Sequence, residues 1–222
     1  MIKVTELIRR RQGMSVEDFQ AYWWGTHGPL VSELPGLRRY VQSPTRLGGY
    51  RRGEPPWDGI AEVWFDDKDA LRAMMETSQF AAVKADEPNF IDVDALIELV
   101  VDEVVIKDGP APDGGIKNVE FVNLNPSMSP TDAHAYWREV HGPIAAAIPT
   151  MRRYVQNHVR PGAYGRAEPP PFDGVAITWW DDLDGMRASA VSEEYAATRA
   201  DEPNFIDGEP PVILTTERVV IA

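Results

Sequence analysis

YWWGTHGP at residues 22–29 returns in the second half of the chain as YWREVHGP at residues 136–143. Both copies keep Tyr-Trp, three variable residues and His-Gly-Pro. Because Gly leaves a helix readily and Pro cannot continue one, each copy predicts the end of a helix. His27 follows Trp23 by one helical turn, so both side chains lie on one helix face. The motif therefore predicts, in each half, an imidazole at a helix end that faces the body of its domain.

The repeat extends over most of the chain. RYVQ occurs at 39–42 and 153–156, EPP at 54–56 and 168–170, and ADEPNFID at 85–92 and 200–207. Internal self-similarity of this extent is typical of a duplicated domain. We predict one domain at residues 1–109 and a second at 116–222, joined by the Pro- and Gly-rich linker near 108–115.

Each half contains the same predicted order of elements. In the first half, strands are predicted at residues 2–9, 37–46, 59–65 and 97–106. A capping box at Ser15 opens a helix to about residue 32, and Asp66-Asp67 opens another to about residue 84, with a break near Thr77-Ser78. The order βαββαβ is the ferredoxin-like split unit, of α+β class. Helices cover only one face of such a sheet, so the halves are predicted to pack sheet against sheet.

Composition excludes several classes of function. The net charge is −13 and the pI is near 4.7, which argues against nucleic-acid binding, since that needs a basic surface. There is no cysteine, and the N-terminus lacks the apolar core of a signal peptide. No apolar run is long enough to span a bilayer. We therefore expect a cytoplasmic protein without nucleic-acid or membrane partners.

The motif residues resemble a known family. Phe19-x-x-Tyr22-Trp23-x-x-x-His27-Gly28-Pro29-Leu30 and the following Pro35-Gly36-Leu37-x-x-Tyr40-x-Gln42 are similar to the EthD domain of the dimeric α/β barrel superfamily. The second half repeats the pattern but departs from it at Ala133, Thr150 and Met151. The resemblance covers nearly the whole chain, and it implies two ferredoxin-like domains that form a dimeric α/β barrel within one chain.

The resemblance also implies a range of activities. The superfamily includes cofactor-free muconolactone isomerases, polyketide cyclases, quinone-forming monooxygenases and haem-binding enzymes. Around the histidine the sequence looks particularly similar to methylmuconolactone methylisomerases. This implies a small cyclic or aromatic substrate held beside a histidine. Family members with one domain form dimers, which implies that one chain here corresponds to such a dimer. The long loops at 47–57 and 161–172 are rich in Arg, Gly and Pro, so they are predicted to lie at the surface and to mediate further homo-oligomerisation.

His27 and His141 are the candidate catalytic residues. A neutral imidazole is the natural general acid or base near neutral pH, and a helix C-terminus favours its protonated form, which suits a proton donor. A structural role is the competing hypothesis, in which the imidazole caps the helix end by bonding a neighbouring carbonyl. The aromatic residues beside them, Tyr22, Trp23, Tyr136 and Trp137, are predicted to bind substrate.

Carboxylates and tryptophans on the strands form a second candidate set. Glu6 and Glu120 occupy matched positions on the first strand of each half, where they are either solvated or facing the barrel interior as substrate-binding groups. Glu62 is open to the same two interpretations, but Ile177 stands at its position in the second half, which indicates two unequal pockets. Trp64 and Trp179 are either core residues or substrate platforms.

The acidic residues before each Pro-Asn-Phe have two interpretations. Asp86-Glu87 and Asp201-Glu202 either form a capped turn, or one acid orients the nearby histidine. His134 falls on a polar helix position and is expected to be solvated, and His158 has Pro44 as its counterpart. The four histidines show no metal-binding spacing, so we expect no metal and no cofactor, while haem ligation by one histidine stays open.

Three functions compete at this point. The first is a cofactor-independent enzyme of isomerase, lyase or dehydratase type that transfers protons on a small cyclic, aromatic or polyketide-like compound. The second is a non-catalytic protein that binds a small hydrophobic or aromatic molecule, or assists an enzyme of a catabolic pathway. The third is a duplicated structural module. A ligand-sized cavity lined by His and aromatic residues would favour the first two over the third.

Overall fold

The computed structural model describes all residues from Met1 to Ala222. Its contacts define two compact units. The first consists of residues 1–100 together with 217–222, and the second of residues 101–216. Each unit has α+β structure with a mainly antiparallel sheet, and the βαββαβ order predicted from the sequence is confirmed in both. The packing of one sheet on the other stays a prediction.

The first unit begins with a strand and a broken helix. Its elements are β1 (Ile2–Ile8), α1 (Val16–Tyr22), a π-helical turn (Trp23–His27), α2 (Gly28–Ser32), β2 (Leu37–Pro44), β3 (Gly59–Phe65), α3 (Lys68–Met75), α4 (Ser78–Asp86) and the start of β4 (Ile97–Lys107). Short 3₁₀ turns occupy Leu47–Tyr50, Glu87–Asn89 and Val93–Ala95. The predicted break in the second helical region is confirmed, because Thr77 caps a new helix by accepting a hydrogen bond from the Phe80 N–H.

The second unit repeats this arrangement. Its elements are β5 (Ile116–Val122), α5 (Pro130–Tyr136), a π-helical turn (Trp137–His141), α6 (Gly142–Ala146), β6 (Met151–Val159), β7 (Gly174–Trp180), α7 (Leu183–Ser189), α8 (Glu193–Asp201) and β8 (Val212–Thr215). Ser15 and Ser129 cap α1 and α5, each accepting from the backbone N–H three residues on. The last strand of the chain, β9 (Arg218–Ile221), belongs to the first unit.

Each unit is completed by a strand that the sequence repeat assigns to the other half. In the first unit, β9 pairs antiparallel with β2, with Gln42 opposite Arg218. In the second, the part of β4 from Val101 onward pairs antiparallel with β6, with Gln156 opposite Val104. The predicted linker at 108–115 therefore lies inside the second unit. The boundary between the units falls before the linker because β4 is long and continues well past Val100.

The expectation that the helix stops at His-Gly-Pro is wrong. The backbone continues through the π-helical turn into α2 and α6 without leaving helical geometry. The Gly28 N–H bonds to the Trp23 carbonyl, five residues earlier, and Gly142 does the same with Trp137. Pro29 has no N–H to donate, and the widened turn accommodates it where a regular α-helix would be broken.

The core of each unit lies between its helices and one face of its sheet. In the first unit Ile2, Val4 and Ile8 pack there with Phe19 and Trp23. In the second, Ile116 and Val122 pack with Ala133, Trp137 and Phe205. Since side chains alternate along a strand, the residues between these face the opposite side of the sheet. This assignment decides which predicted site residues can meet.

A close approach of strand and tryptophan gives a stability prediction. A Cβ at Gly59 would lie 2.7 Å from the Trp23 ring and 2.9 Å from the Ser43 carbonyl oxygen. We expect Gly59→Ala to lower the free energy of unfolding by about 1–3 kcal/mol through overpacking. Gly25→Ala is the control, because nothing lies within 4 Å of its Cβ position. Urea unfolding of the two variants measures the difference, and equal stabilities would contradict the packing described.

The loops predicted to lie at the surface do so for most of their length. Leu47 and Arg51 are exposed, whereas Trp57 at the end of the first loop is buried, as is Phe172 at the end of the second. Self-association through these loops stays a prediction. None of the helices combines the length and apolar character needed to cross a bilayer.

Candidate functional site

A histidine–aspartate pair lies at the π-helical turn of the first unit. His27 Nδ1 lies 2.9 Å from Asp86 Oδ2. The other carboxylate oxygen, Oδ1, accepts hydrogen bonds from the Tyr22 hydroxyl at 2.6 Å and from the Asn89 amide at 3.0 Å. The Phe90 ring packs against the imidazole, with ring centroids 4.6 Å apart. The structure thus fixes the imidazole by a carboxylate on one edge and an aromatic ring on its face.

The second unit contains the same arrangement. His141 Nδ1 lies 2.9 Å from Asp201 Oδ2, and Tyr136 and Asn204 donate to Asp201 Oδ1 at 2.7 and 3.0 Å. The ring of Phe205 packs against His141. The repeated sequence ADEPNFID supplies the Asp, Asn and Phe of both sites. The hypothesis that one acid orients the histidine is confirmed for Asp86 and Asp201, and the hypothesis that the imidazole caps a carbonyl is wrong.

One nitrogen of each imidazole is left without a protein partner. The carboxylate can only accept, so Nδ1 carries the proton in the neutral ring and Nε2 carries the lone pair. No protein group hydrogen-bonds to Nε2 of His27 or His141. His27 and His141 are 6% and 5% exposed, so each site keeps a small opening to solvent beside a ring whose Nε2 has no protein partner.

Burial controls the charge of this pair. It lowers the pKa of His27 below its ordinary value, although the hydrogen bond to Asp86 acts to raise it. His141 has its pKa lowered for the same reasons. Burial acts to raise the pKa of Asp86, but hydrogen bonds from Tyr22, Asn89 and His27 hold it below the usual range. The expectation of a protonated histidine at a helix C-terminus is wrong, because the helix continues and the ring is desolvated.

The π-helical turn is itself held by residues that the sequence analysis did not assign to a site. Gln42 Nε2 donates to the Trp23 carbonyl at 2.9 Å and to the Tyr40 hydroxyl at 2.8 Å. Gln156 makes the equivalent bonds to Trp137 and Tyr154. The repeated Tyr-x-Gln of the RYVQ segments was the available sequence signal. These bonds tie the turn that carries each histidine to a central strand of its sheet.

Trp23 and Trp137, predicted to bind substrate, lie in the core. Both are 1% exposed, and their rings lie against Gly59 and Gly174 of β3 and β7. Tyr22 and Tyr136, in contrast, are only partly buried. The hydroxyl of each donates a hydrogen bond to the aspartate of its histidine–aspartate pair, or dyad. Within the motif, the tyrosine and the histidine therefore form the site, and the tryptophan supports it by packing.

Glu6 lies on the helix-covered face of the first sheet. It alternates there with Val4 and Ile8 and is partly exposed, but no protein group hydrogen-bonds to its carboxyl. Burial, and after it the Glu98 and Glu87 carboxylates, raise the pKa of Glu6 to about 8, against the effect of Lys84. Lys84 also forms an ion pair with the buried Glu87 at 2.7 Å. Glu6 is thus on the same side of the sheet as His27. The two predicted placements, in solvent or facing the barrel interior, did not include this helix-covered face.

Glu120 occupies the same place in the second sheet with different neighbours. Asn118 Nδ2 donates to Glu120 Oε1 at 2.8 Å. Burial raises the pKa of Glu120, while Asn118 and Arg199 act to lower it. Glu202 nearby has its pKa raised to about 7, first by burial, against the effect of Arg199. Each helix-covered face therefore holds one carboxyl beneath the helices.

Glu62, Trp64 and Trp179 lie on the opposite face of their sheets. Lys3 Nζ pairs with Glu62 Oε1 at 2.7 Å and lies 4.6 Å from the centroid of the Trp64 ring. Lys117 Nζ lies 5.2 Å from the Trp179 ring in the second unit. Strand alternation separates these residues from the histidines. The predicted substrate-binding residues therefore divide between two faces of each sheet instead of meeting at one site.

A second pair of histidines is found only in the second unit. The rings of His134 and His158 lie 4.6 Å apart, and His158 stacks on Trp137 at 4.7 Å. His134 donates to the Asp173 carbonyl, and His158 donates to Gln156 Oε1. The expectation that His134 is solvated is wrong, because this helix position faces inward. Burial lowers the pKa of His158 to about 3.

No three His, Asp or Glu side chains of the chain are grouped closely enough to hold a metal ion.

Comparison with known proteins adds the family. The EthD domain model matches residues 11–94 and 125–209. No curated protein sequence matches the chain. Among solved structures, an anthrone oxidase-like protein is 12% identical with a TM-score of 0.68, covering 99% of this chain and 93% of its own. This likeness supports a fold with two ferredoxin-like α+β units in one chain.

Two single-domain structures match one half of the chain. An ethyl tert-butyl ether degradation (EthD) family protein from Bacillus halodurans is 28% identical, covering 47% of this chain and 99% of its own, with a TM-score of 0.39. An EthD-like protein from Ralstonia eutropha is 19% identical, covering 47% and 92%, with a TM-score of 0.38. The two model matches span most of the chain, once in each half, so this protein belongs to the EthD domain family.

Proposed function

We propose that this protein is a cofactor-independent enzyme that transfers protons on a small cyclic, aromatic or polyketide-like compound, with His27 and His141 as the bases. The observation that carries the proposal is the dyad, present twice with the same 2.9 Å separation of Nδ1 and carboxylate oxygen. A carboxylate behind an imidazole fixes the tautomer and ring orientation and stabilises the imidazolium that forms. Both effects favour a base at Nε2.

The proton transfer follows from these roles. The Nε2 lone pair takes a proton from an acidic C–H or O–H of the bound compound, so that this bond breaks and an Nε2–H bond forms. The Asp86 carboxylate stabilises the positive ring through its contact with Nδ1. The compound, now an enolate or phenolate, recovers the proton at the same or another atom. Return to another atom is an isomerisation. In a lyase or dehydratase reaction the enolate instead expels a leaving group, which takes the proton from Nε2 and departs, in a dehydration as water.

The charge state of the histidines suits this role at neutral pH. Because burial lowers the pKa of His27 and His141, both rings are neutral at pH 7 and ready to accept a proton. The ring face is covered by Phe90 or Phe205, which limits water on that side. A desolvated base beside a fixed carboxylate is the arrangement that general-base catalysis requires.

Anthrone is a suitable probe, since a structurally similar protein is described as anthrone oxidase-like and the compound has an acidic C–H in a ring. We expect the protein to catalyse exchange of this hydrogen for deuterium in D₂O, measured by NMR under nitrogen. The rate should rise with pH through a midpoint below the ordinary histidine pKa and then stay constant. Saturable binding of anthrone without exchange would instead favour the non-catalytic small-molecule-binding alternative.

A further inference from the structure

We infer that the helix-covered face of the second unit holds a binding subsite for the hydroxyl group of a neutral aromatic compound, formed by Asn118 with Glu120 and Thr178, and that the first unit lacks it. Side-chain alternation on β5 and β7 brings these three residues to one face, where Asn118 pairs with Thr178 across the strands. The inference concerns binding only and does not depend on the proposed proton transfer.

A buried polar atom without a partner marks the subsite. Asn118 is 4% exposed, and its amide nitrogen donates to Glu120 Oε1 at 2.8 Å and to Thr178 Oγ1 at 3.4 Å. Its carbonyl oxygen, Oδ1, is enclosed and has no hydrogen bond. Leaving a buried acceptor unpaired is unfavourable, so a donor that reaches it is bound favourably.

The same face of the first unit is apolar at the equivalent positions. Val4 stands where the second unit has Asn118, Val63 where it has Thr178, and Phe65 where it has Trp180. The Trp180 indole nitrogen donates to Thr178 Oγ1 at 3.1 Å, which extends the polar group of the second unit. Only the carboxyl is shared, as Glu6 and Glu120. The duplication has therefore given one face with an unpaired buried amide oxygen and one face without it.

The surroundings specify the rest of the ligand. Asn118 Oδ1 is an acceptor, so the ligand must donate a hydrogen bond to it. A charged oxygen cannot donate and is costly to bury, so the hydroxyl must be neutral. The apolar neighbours Tyr154 and Phe205 of the same core favour an aromatic ring. Glu120, which accepts a hydrogen bond from the Asn118 amide, is partly exposed, so the subsite borders solvent on that side.

Calorimetric titration with 1-naphthol and 1-methylnaphthalene tests the inference, because these probes differ only in hydroxyl versus methyl. We expect one saturable site per chain that prefers 1-naphthol by about tenfold, the value of one hydrogen bond to a buried group. The variant Asn118→Val/Thr178→Val, which copies the first unit, should lose this preference while still binding 1-methylnaphthalene. A wild-type protein without the preference, or a variant that keeps it, would overturn the inference.

Asn157→Ser provides the matched control. Asn157 also has a buried, unpaired Oδ1, but it alternates onto the opposite face of the sheet, and the first unit has Ser43 there. This variant should keep the 1-naphthol preference, and its loss there would also overturn the assignment. If the double valine variant does not fold, Val4→Asn/Val63→Thr replaces it. That variant should gain a second 1-naphthol site, and an unchanged stoichiometry would contradict the inference.

Discussion

We expect the double variant His27→Gln/His141→Gln to exchange the acidic hydrogen of anthrone about 10²- to 10⁴-fold more slowly than the wild-type protein, which is the usual contribution of a general base. Glutamine keeps a polar group of similar length but cannot accept a proton near neutral pH. Deuterium incorporation followed by NMR gives the rate, and thermal melting shows whether the fold is kept. Full activity of the folded double variant would remove both histidines from the mechanism.

The single variants separate the two units. Both dyads have the same geometry, but the residues on the helix-covered faces differ, with Val4 in the first unit and Asn118 in the second. We therefore expect His27→Gln and His141→Gln to reduce the rate by unequal factors. His158→Gln is the control, because His158 is a buried histidine whose Nε2 bonds to Gln156 and does not belong to a dyad. Loss of folding in both single variants would favour a purely structural role.

The positioning role of the aspartates has its own signature. Asp86→Asn/Asp201→Asn keeps the size of the side chain but removes the charge that opposes the effect of burial on the histidine pKa. The midpoint of the pH–rate profile should then move to lower pH, together with a lower maximal rate. An aspartate that only held the loop in place would leave the midpoint unchanged in a folded variant.

The fold was predictable because its signals are local and repeated. Alternating strands, the Ser15 cap and the break at Thr77 each depend on short-range chemistry, and the structure has all of them. The assignment of β9 to the first unit was not predictable, because β2 and β6 are equivalent strands in the repeat. The sequence alone cannot tell which of the two a terminal strand will pair with. The π-helical turn was missed because Gly-Pro is ordinarily a stop signal, and the compensating bond from Gln42 comes from a distant strand.

The site was predictable in part. The motif identified both histidines, and the repeated Asp-Glu-Pro-Asn-Phe identified their acidic partners as one of two alternatives. What the sequence did not provide was the face of each strand. Glu6 and Glu62 both precede apolar residues on strands, yet Ala61 of the core lies opposite Glu6, and Glu62 points away from it. A one-residue change of register reverses such an assignment, so only the pairing in three dimensions decides it.

We expect Glu6→Gln to stabilise the protein at pH 7, although Glu6 is one of the predicted substrate-binding residues. Burial raises the pKa of Glu6 to about 8 in the folded state, against 4.5 for the ordinary carboxyl. Below pH 4.5 the carboxyl is protonated in both states and has no linked effect. As pH rises from 4.5 to 8, the unfolded chain releases the proton and the folded protein retains it, so stability falls by about 1.4 kcal/mol for each pH unit.

Glutamine does not titrate, so the variant escapes this loss. The free energy of unfolding of Glu6→Gln, relative to wild type, should therefore increase between pH 4.5 and 8 and be constant above, measured by urea unfolding at each pH. Glu120→Gln is the matched variant and should change in the same direction, because burial also raises the pKa of Glu120. A gain independent of pH would mean that Glu6 ionises normally in the folded state. The stability lost near neutral pH is the expected cost of burying a titratable carboxyl beneath the helices without a hydrogen-bond partner.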